Sequence, residues 1–333
     1  MDHPDQIGEY RILELIARGG MAEIYLARHP DTHDKDLALK VIRTEFAGDT
    51  TVRDMFVSEA RVALALSHAN VVQTFEVAPY GDSIVLAMEH VDGMDVARLL
   101  HTHEAQFGER LPLRHAVLIA ADALSGLDYA HRCRGPDGQH LGLVHRDVSS
   151  GNLLVSCSGD VKVADFGVAI SNVRHHQSID GTLKGKLAYM SPEQARAAKL
   201  DPRTDVYSMG VVLYELCTGK RPFAGTSPAI IPDLVTGRFV RPSELRADLP
   251  TRLEEIILTA MANDREARFD SAGEMSEALR DFAFEHGLVL SHLGLGELVT
   301  RLVRRARTTI PPGGPSLEMT RRETPMAKRD EDE

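Results

Sequence analysis

An aspartate with an asparagine five residues on, Asp147 and Asn152, stands in the run Val144-His145-Arg146-Asp147-Val148-Ser149-Ser150-Gly151-Asn152. A second aspartate follows on a tight turn, Asp165-Phe166-Gly167. These residue types at this spacing suit one chemistry. One carboxylate can meet the proton of a hydroxyl, while the amide and the other carboxylate hold a divalent metal on a nucleotide's phosphates. Alone, His-Arg-Asp is a weak string, because any three residues recur by chance. Its place between two apolar, strand-like runs strengthens it.

The elements that must position these residues read in two halves. Alternation predicts strands over 10–17, 23–28 and 37–43, a helix over 52–66, and strands again over 71–77 and 83–90. After Gly93 the pattern turns helical, with predicted helices over 96–103, 113–131, 205–217, 252–261 and 271–284. Gly135-Pro136-Asp137-Gly138, inside 132–141, is a turn signal and predicts a small surface hairpin ahead of the catalytic run. No internal repeat is visible at solenoid periods.

With these elements on both sides, the chain resembles a eukaryotic-type (Hanks-type) bacterial serine/threonine protein kinase over roughly 10–284. The resemblance implies an α+β, two-lobed fold, with a small β-rich N-lobe over 10–89, a hinge at 89–93 and a larger, mostly helical C-lobe over 94–284. It implies transfer of the γ-phosphoryl group of ATP to Ser/Thr hydroxyls of protein substrates, with autophosphorylation. Two Mg²⁺ ions, which Mn²⁺ could replace, would sit on Asn152 and Asp165, because hard cations prefer oxygen ligands. Asp147 would be the base that accepts or orients the hydroxyl proton. Lys40, in Ala38-Leu39-Lys40-Val41, would neutralise the α- and β-phosphates and be positioned by Glu59. The phosphate-covering loop would be Ala17-Arg18-Gly19-Gly20-Met21-Ala22, where small residues let backbone N–H groups approach phosphate oxygens. Ile24, Ala38 and Leu154 would sandwich the adenine, with Met88 behind it and the backbone of Glu89 and Val91 bonding its edge. Asp95 falls where the family places a carboxylate on the ribose.

Three departures from the family pattern stand out. Its glycine positions are here Ala17, Gly19 and Ala22, so only the middle glycine survives, with Gly20 beside it. The lysine expected two residues after the catalytic aspartate is Ser149, and the threonine expected after Gly185 is Lys186. In the resembling fold both positions face Asp147, so Lys186 is expected to supply the ammonium that Ser149 cannot. Arg146 ahead of Asp147 accompanies control by loop phosphorylation, with Thr182 as the phosphosite and Ser178 and Ser171 behind it. Glu193 and Arg268 match an internal ion pair of the larger lobe. Asp205 is expected to cap the helix it opens and to bond the catalytic-loop backbone. A second reading, a nucleotide-binding pseudokinase acting as scaffold or allosteric partner, gains from Ala17, Ala22 and Ser149. A third, a small-molecule phosphotransferase, is disfavoured by Pro192-Glu193 and Arg268.

Composition sets outer limits. The formal charge of −11 disfavours nonspecific nucleic-acid binding. Cys133, Cys157 and Cys217 are odd in number and far apart, which argues against a disulfide framework or zinc site and fits a reducing cytoplasm. The acidic, polar leader 1–9 does not read as a signal peptide, and no apolar run reaches the roughly 18–20 residues of a membrane span. Residues 285–307, leucines alternating with Arg301, Arg304, Arg305 and Arg307, read as an extra helix on the larger lobe or as a basic amphipathic contact. The Pro/Gly-rich and charged stretch 308–333 reads as a disordered tail that could dock a protein partner.

Overall fold

The computed structural model describes residues 4–20, 22–32, 35–46, 49–81, 83–135, 137–166, 187–223 and 227–309. Thr182 and Lys186, with Ser171, Ser178 and the tail, lie outside the described residues, and so does the side chain of Glu59.

The first half folds as a six-stranded antiparallel sheet. Its strands are β1 (Gln6–Ile7), β2 (Tyr10–Arg18), β3 (Ala22–Arg28), β4 (Asp36–Ile42), β5 (Thr74–Tyr80) and β6 (Ser83–Glu89), in the order β1-β2-β3-β4-β6-β5. Helix α1 (Thr50–Ala65) lies between β4 and β5 in the chain. Period-two alternation divides β4 between two faces. Leu37, Leu39 and Val41 join Tyr25, Val85 and Ala87 in one apolar cluster. On the other face Ile42 packs with Ala22, Ile84 and Leu86 against Phe56 and Ala60 of α1. Register then fixes what shares the second face with Lys40, since Ile24 and Leu86 pair with it across the neighbouring strands. Ala38 pairs with Leu26 and Met88 in the same way.

After Glu89 come β7 (Gly93–Asp95), α2 (Val96–Phe107), α3 (Leu113–Arg132), β8 (Leu153–Ser156) and β9 (Val161–Val163). These strands form a second small sheet in the order β7-β8-β9. The helices that follow are α4 (Pro192–Ala195), α5 (Arg203–Thr218), α6 (Ser227–Thr236), α7 (Pro242–Leu245), α8 (Thr251–Ala260), α9 (Ala272–Glu285) and α10 (His292–Thr309). Helix α5 is apolar on nearly every side and buried along almost its whole length, as expected of a helix at the centre of a lobe. α3 packs against α5 and α9 within one continuous core. No helix among the described residues is long and apolar enough to cross a membrane.

Several boundaries differ from those read in the sequence. The strand expected over 71–77 runs from Thr74 to Tyr80, because the chain at Val71 and Val72 bonds the other lobe instead. Val71 bridges Val163, and the Val72 N–H donates to Val163 O at 2.9 Å. α5 begins at Arg203 after Pro202, so Asp205 lies inside the first turn and does not cap the helix. The hairpin expected within 132–141 is present, with Arg134 bridging His140 and the Gly135 N–H donating to Gln139 O at 2.9 Å. The segment after 285 is a helix docked on the larger lobe, with Leu295, Val299 and Leu302 fully buried.

Candidate active site

Lys40 and Asp165 meet where the two lobes face each other. Lys40 Nζ donates to Asp165 Oδ1 at 2.9 Å. The ammonium also stands over the Phe56 ring, 5.9 Å from its centroid, so α1 runs beside it and carries Glu59 on the same helix. Asp165 has φ 54°, in the left-handed region that aspartate tolerates better than most residues. The backbone before it is held firmly: the Ala164 N–H donates to Asn152 O, and Ala164 O accepts from His145 Nε2 at 3.0 Å.

A dense set of backbone bonds fixes the catalytic loop. Asn152 Nδ2 donates to Asp147 O at 2.7 Å and to Asp147 Oδ2 at 3.0 Å. With the amide nitrogen so engaged, Asn152 Oδ1 is the atom left to face the cleft. Asn152 therefore joins the two aspartates, since its side chain holds Asp147 and its carbonyl holds the residue before Asp165. The buried ring of His145 accepts from the Asp147 N–H and packs on Phe166 at 4.6 Å between centroids. Arg146 takes φ 67° at this bend, and its Nε is buried with no hydrogen-bond partner among the described residues.

Asp205 anchors the loop from below. Its carboxylate accepts the N–H groups of His145 at 2.7 Å and Arg146 at 2.8 Å, and a bond from His131 Nε2 at 2.8 Å. Burial opposes ionisation of this group, but the His131 bond and the backbone donors outweigh it and hold the carboxyl below its ordinary range. Gln194 of α4 adds a bond to Arg146 O at 2.7 Å. Ser149 is almost fully buried within the loop. The next residue, Ser150, bonds Tyr189 Oη at 2.6 Å, and Tyr189 donates onward to Glu215 at 2.6 Å. Sequence reading had not used His131, Gln194, Tyr189 or Glu215, whose partners lie far along the chain.

The nucleotide-side residues share one face of the cleft. Ile24, Ala38 and Met88 lie with Lys40 on the sheet, and Leu154 rises from β8 opposite Asp95. The loop between β2 and β3 closes tightly, with the Gly19 N–H donating to Ala22 O at 2.8 Å and Ala17 paired with Ile24. Arg43 Nη1 donates to Gly20 O at 3.1 Å, bracing that loop. The Glu89 N–H is taken by Gln73 O, which leaves its carbonyl as the group a base could use. Glu89 also pairs with Lys162 of β9 at 3.0 Å, a second tie between the lobes. Asp95 caps α2 by accepting the Arg98 N–H at 2.8 Å, and burial, only partly opposed by that bond, raises its pKa.

The donor set fits a divalent cation held mainly by substrate phosphates. Asn152 Oδ1 and the Asp165 carboxylate are hard oxygen ligands on one side of the cleft. Among the described residues no three His, Cys, Asp or Glu side chains gather into a cage.

The protein kinase domain family model matches residues 10–280. The chain belongs to the protein kinase family. This kinase is 37% identical over 282 residues to the tyrosine-protein kinase MasK of Myxococcus xanthus, covering 84% of this chain and 44% of that protein. It is 37% identical over 283 residues to the serine/threonine-protein kinase PknB of Mycolicibacterium smegmatis, covering 83% and 43%. The chain thus spans less than half the length of these relatives. The crystal structure of the Mycobacterium tuberculosis PknI kinase domain superposes with TM-score 0.64 at 26% identity, covering 84% of this kinase and 97% of that domain. The two-lobed architecture is shared with it.

Proposed function

We propose that this kinase transfers the γ-phosphoryl group of ATP to serine and threonine hydroxyls of proteins, itself included, with Mg²⁺ as the metal. One observation carries the reading: Lys40–Asp165 at 2.9 Å and Asn152–Asp147 at 3.0 Å bring a cation, two carboxylates and an amide to one cleft. Lys40 would bind the α- and β-phosphates and Asp165 would orient it. Asp147 would hold the acceptor hydroxyl and take its proton as the oxygen–phosphorus bond forms and the bond to the β-phosphate oxygen breaks. Mg²⁺, when bound by Asn152 and Asp165, would neutralise the charge on the leaving phosphates. Ile24, Ala38 and Leu154 would enclose the adenine, and Glu89 and Val91 its edge. A cytoplasmic setting agrees with Cys133, Cys157 and Cys217, all free thiols.

Incubation with labelled ATP and Mg²⁺, followed by mapping of the phosphorylated residues, tests this reading. Phosphoserine and phosphothreonine are expected on the intact chain and none on Asp147→Asn. A labelled intact chain carrying phosphotyrosine instead would favour a second reading, prompted by the name of the Myxococcus relative. Nucleotide binding without any transfer would favour the pseudokinase.

A further inference from the structure

Helix α10 lies beyond the residues matched by the kinase family model, which end at 280, yet it is built into the larger lobe. Its apolar side, Leu295, Val299 and Leu302, is fully buried. Its start is pinned to α3, where His292 Nε2 donates to Asp122 Oδ2 at 2.7 Å beside an Arg280 bond to Oδ1 at 3.0 Å.

The closest approach of α10 is to the turn between β8 and β9. A Cβ placed on Gly296 would stand 2.6 Å from Cys157 O and 2.7 Å from the Ser158 carbonyl carbon. One placed on Gly159, at φ 93°, would stand 1.9 Å from His292 O. Helix and turn therefore touch backbone to backbone, and only glycine fits on either side. Thr300 Oγ1 adds a bond to Cys157 O at 3.3 Å. The turn itself is stiff. The Ser156 N–H donates to Asp160 O and the Gly159 N–H to Ser156 O, while the Ser158 hydroxyl donates to Asp160 Oδ2 at 2.6 Å.

The other side of this turn holds the hinge. The Cys157 N–H donates to Asp92 O at 2.7 Å. Asp92 directly follows Val91, whose backbone is the proposed adenine contact, and directly precedes β7. Along β7, Gly93 pairs with Ser156 and Asp95 with Leu154. A Cβ on Gly93 would stand 1.9 Å from Val155 O, so that crossing also has no slack.

We infer that α10 is a positioning element for the nucleotide, acting through the β8–β9 turn on residues 91–95 without touching the nucleotide. This inference rests on the nucleotide site proposed above. A segment already ordered in its binding shape spares the ligand the cost of ordering it, so apparent affinity scales with the fraction of molecules in which α10 is docked. Linkage makes the effect reciprocal: nucleotide must stabilise the docking of α10 by the same factor.

The full-length chain tests this in two ways. Gly296→Leu, which drives a side chain into the Cys157 carbonyl, is expected to weaken the Kd for a non-hydrolysable ATP analogue with Mg²⁺ about fivefold or more. It should raise the KM for ATP likewise, while kcat at saturating ATP and the KM for a peptide substrate hold. In the wild-type chain, hydrogen exchange of 292–303 should slow on nucleotide addition together with that of 89–95. A folded Gly296→Leu chain with unchanged Kd overturns the inference. So does wild-type exchange in which 89–95 is protected while α10 does not respond, and that result decides the matter if Gly296→Leu does not fold. A wild-type chain that binds no nucleotide removes the proposed site and this inference together.

Discussion

Lys40 and Asp165 are 125 positions apart and come from different lobes, yet Nζ and Oδ1 lie 2.9 Å from each other. The lysine side chain is 13% exposed and the carboxylate 38% exposed. An ion pair open to water on one side contributes only about 0–1 kcal/mol to folding. Its value is therefore placement, since it sets a cation and a metal ligand at one spot before substrate arrives. Lys40→Met should lower kcat/KM by about 10²-fold or more, the usual loss when one preorganised donor is removed. Its unfolding midpoint should stay close to that of the wild-type chain. Steady-state kinetics with a denaturation curve checks both, and activity within about threefold of wild type would contradict the assignment.

Ser149 sits almost fully buried two residues after Asp147, where the family pattern expects a lysine. Lys186, outside the described residues, stands in the sequence where a threonine is expected. If charge near the transferred phosphoryl group matters by position and not by origin, Lys186→Thr should cut kcat by about 10²–10³-fold. Adding Ser149→Lys to that variant should return a large part of the loss. Near-normal turnover of Lys186→Thr alone would mean that the two departures are unrelated.

Local signals made much of this architecture legible. Alternation in β4 put Lys40 on the face shared with Ile24 and Met88, and Asp95 ahead of an apolar helical run carried a capping signal. Errors arose where a distant partner outweighed local pattern. Val71 and Val72 looked like strand but bond Val163 across the lobes, and Asp205 looked like a cap but serves His145, Arg146 and His131. The ties through Ser150, Tyr189 and Glu215 left no trace in spacing, because each partner comes from a different part of the chain.

Glu193 and Arg268 form a two-pronged pair, 2.8 Å at each contact, inside the larger lobe. Burial pushes the Glu193 carboxyl up, but the Arg268 bonds prevail and hold it at about 2. A carboxyl depressed from 4.5 to about 2 stabilises the fold fully above pH 4.5, and that contribution is lost as pH falls towards 2. Glu193→Gln leaves the guanidinium buried beside a neutral amide and should cost about 3–5 kcal/mol at pH 7. Urea unfolding should show that deficit shrinking below pH 4.5. A deficit that stays constant down to pH 3 would show that the loss comes from packing and not from charge.

His115 of α3 offers a pH test near neutrality. The ring is buried, Nδ1 has no hydrogen-bond partner among the described residues, and α10 passes close by at Gly294. Burial, with Arg114 and His103 adding to it, lowers the pKa to about 4. Between about pH 4 and 6.5 the unfolded chain binds a proton that the folded chain refuses, so folding stability rises with pH across that window. The contribution is whole above 6.5 and fades as pH drops to about 4. His115→Gln removes the titration and should flatten the slope by at most about 1.4 kcal/mol per pH unit. Unfolding free energies for both chains at pH 7.5, 6 and 5 give the slopes directly. Equal slopes would mean that the ring takes up its proton in the folded chain as readily as in the unfolded one.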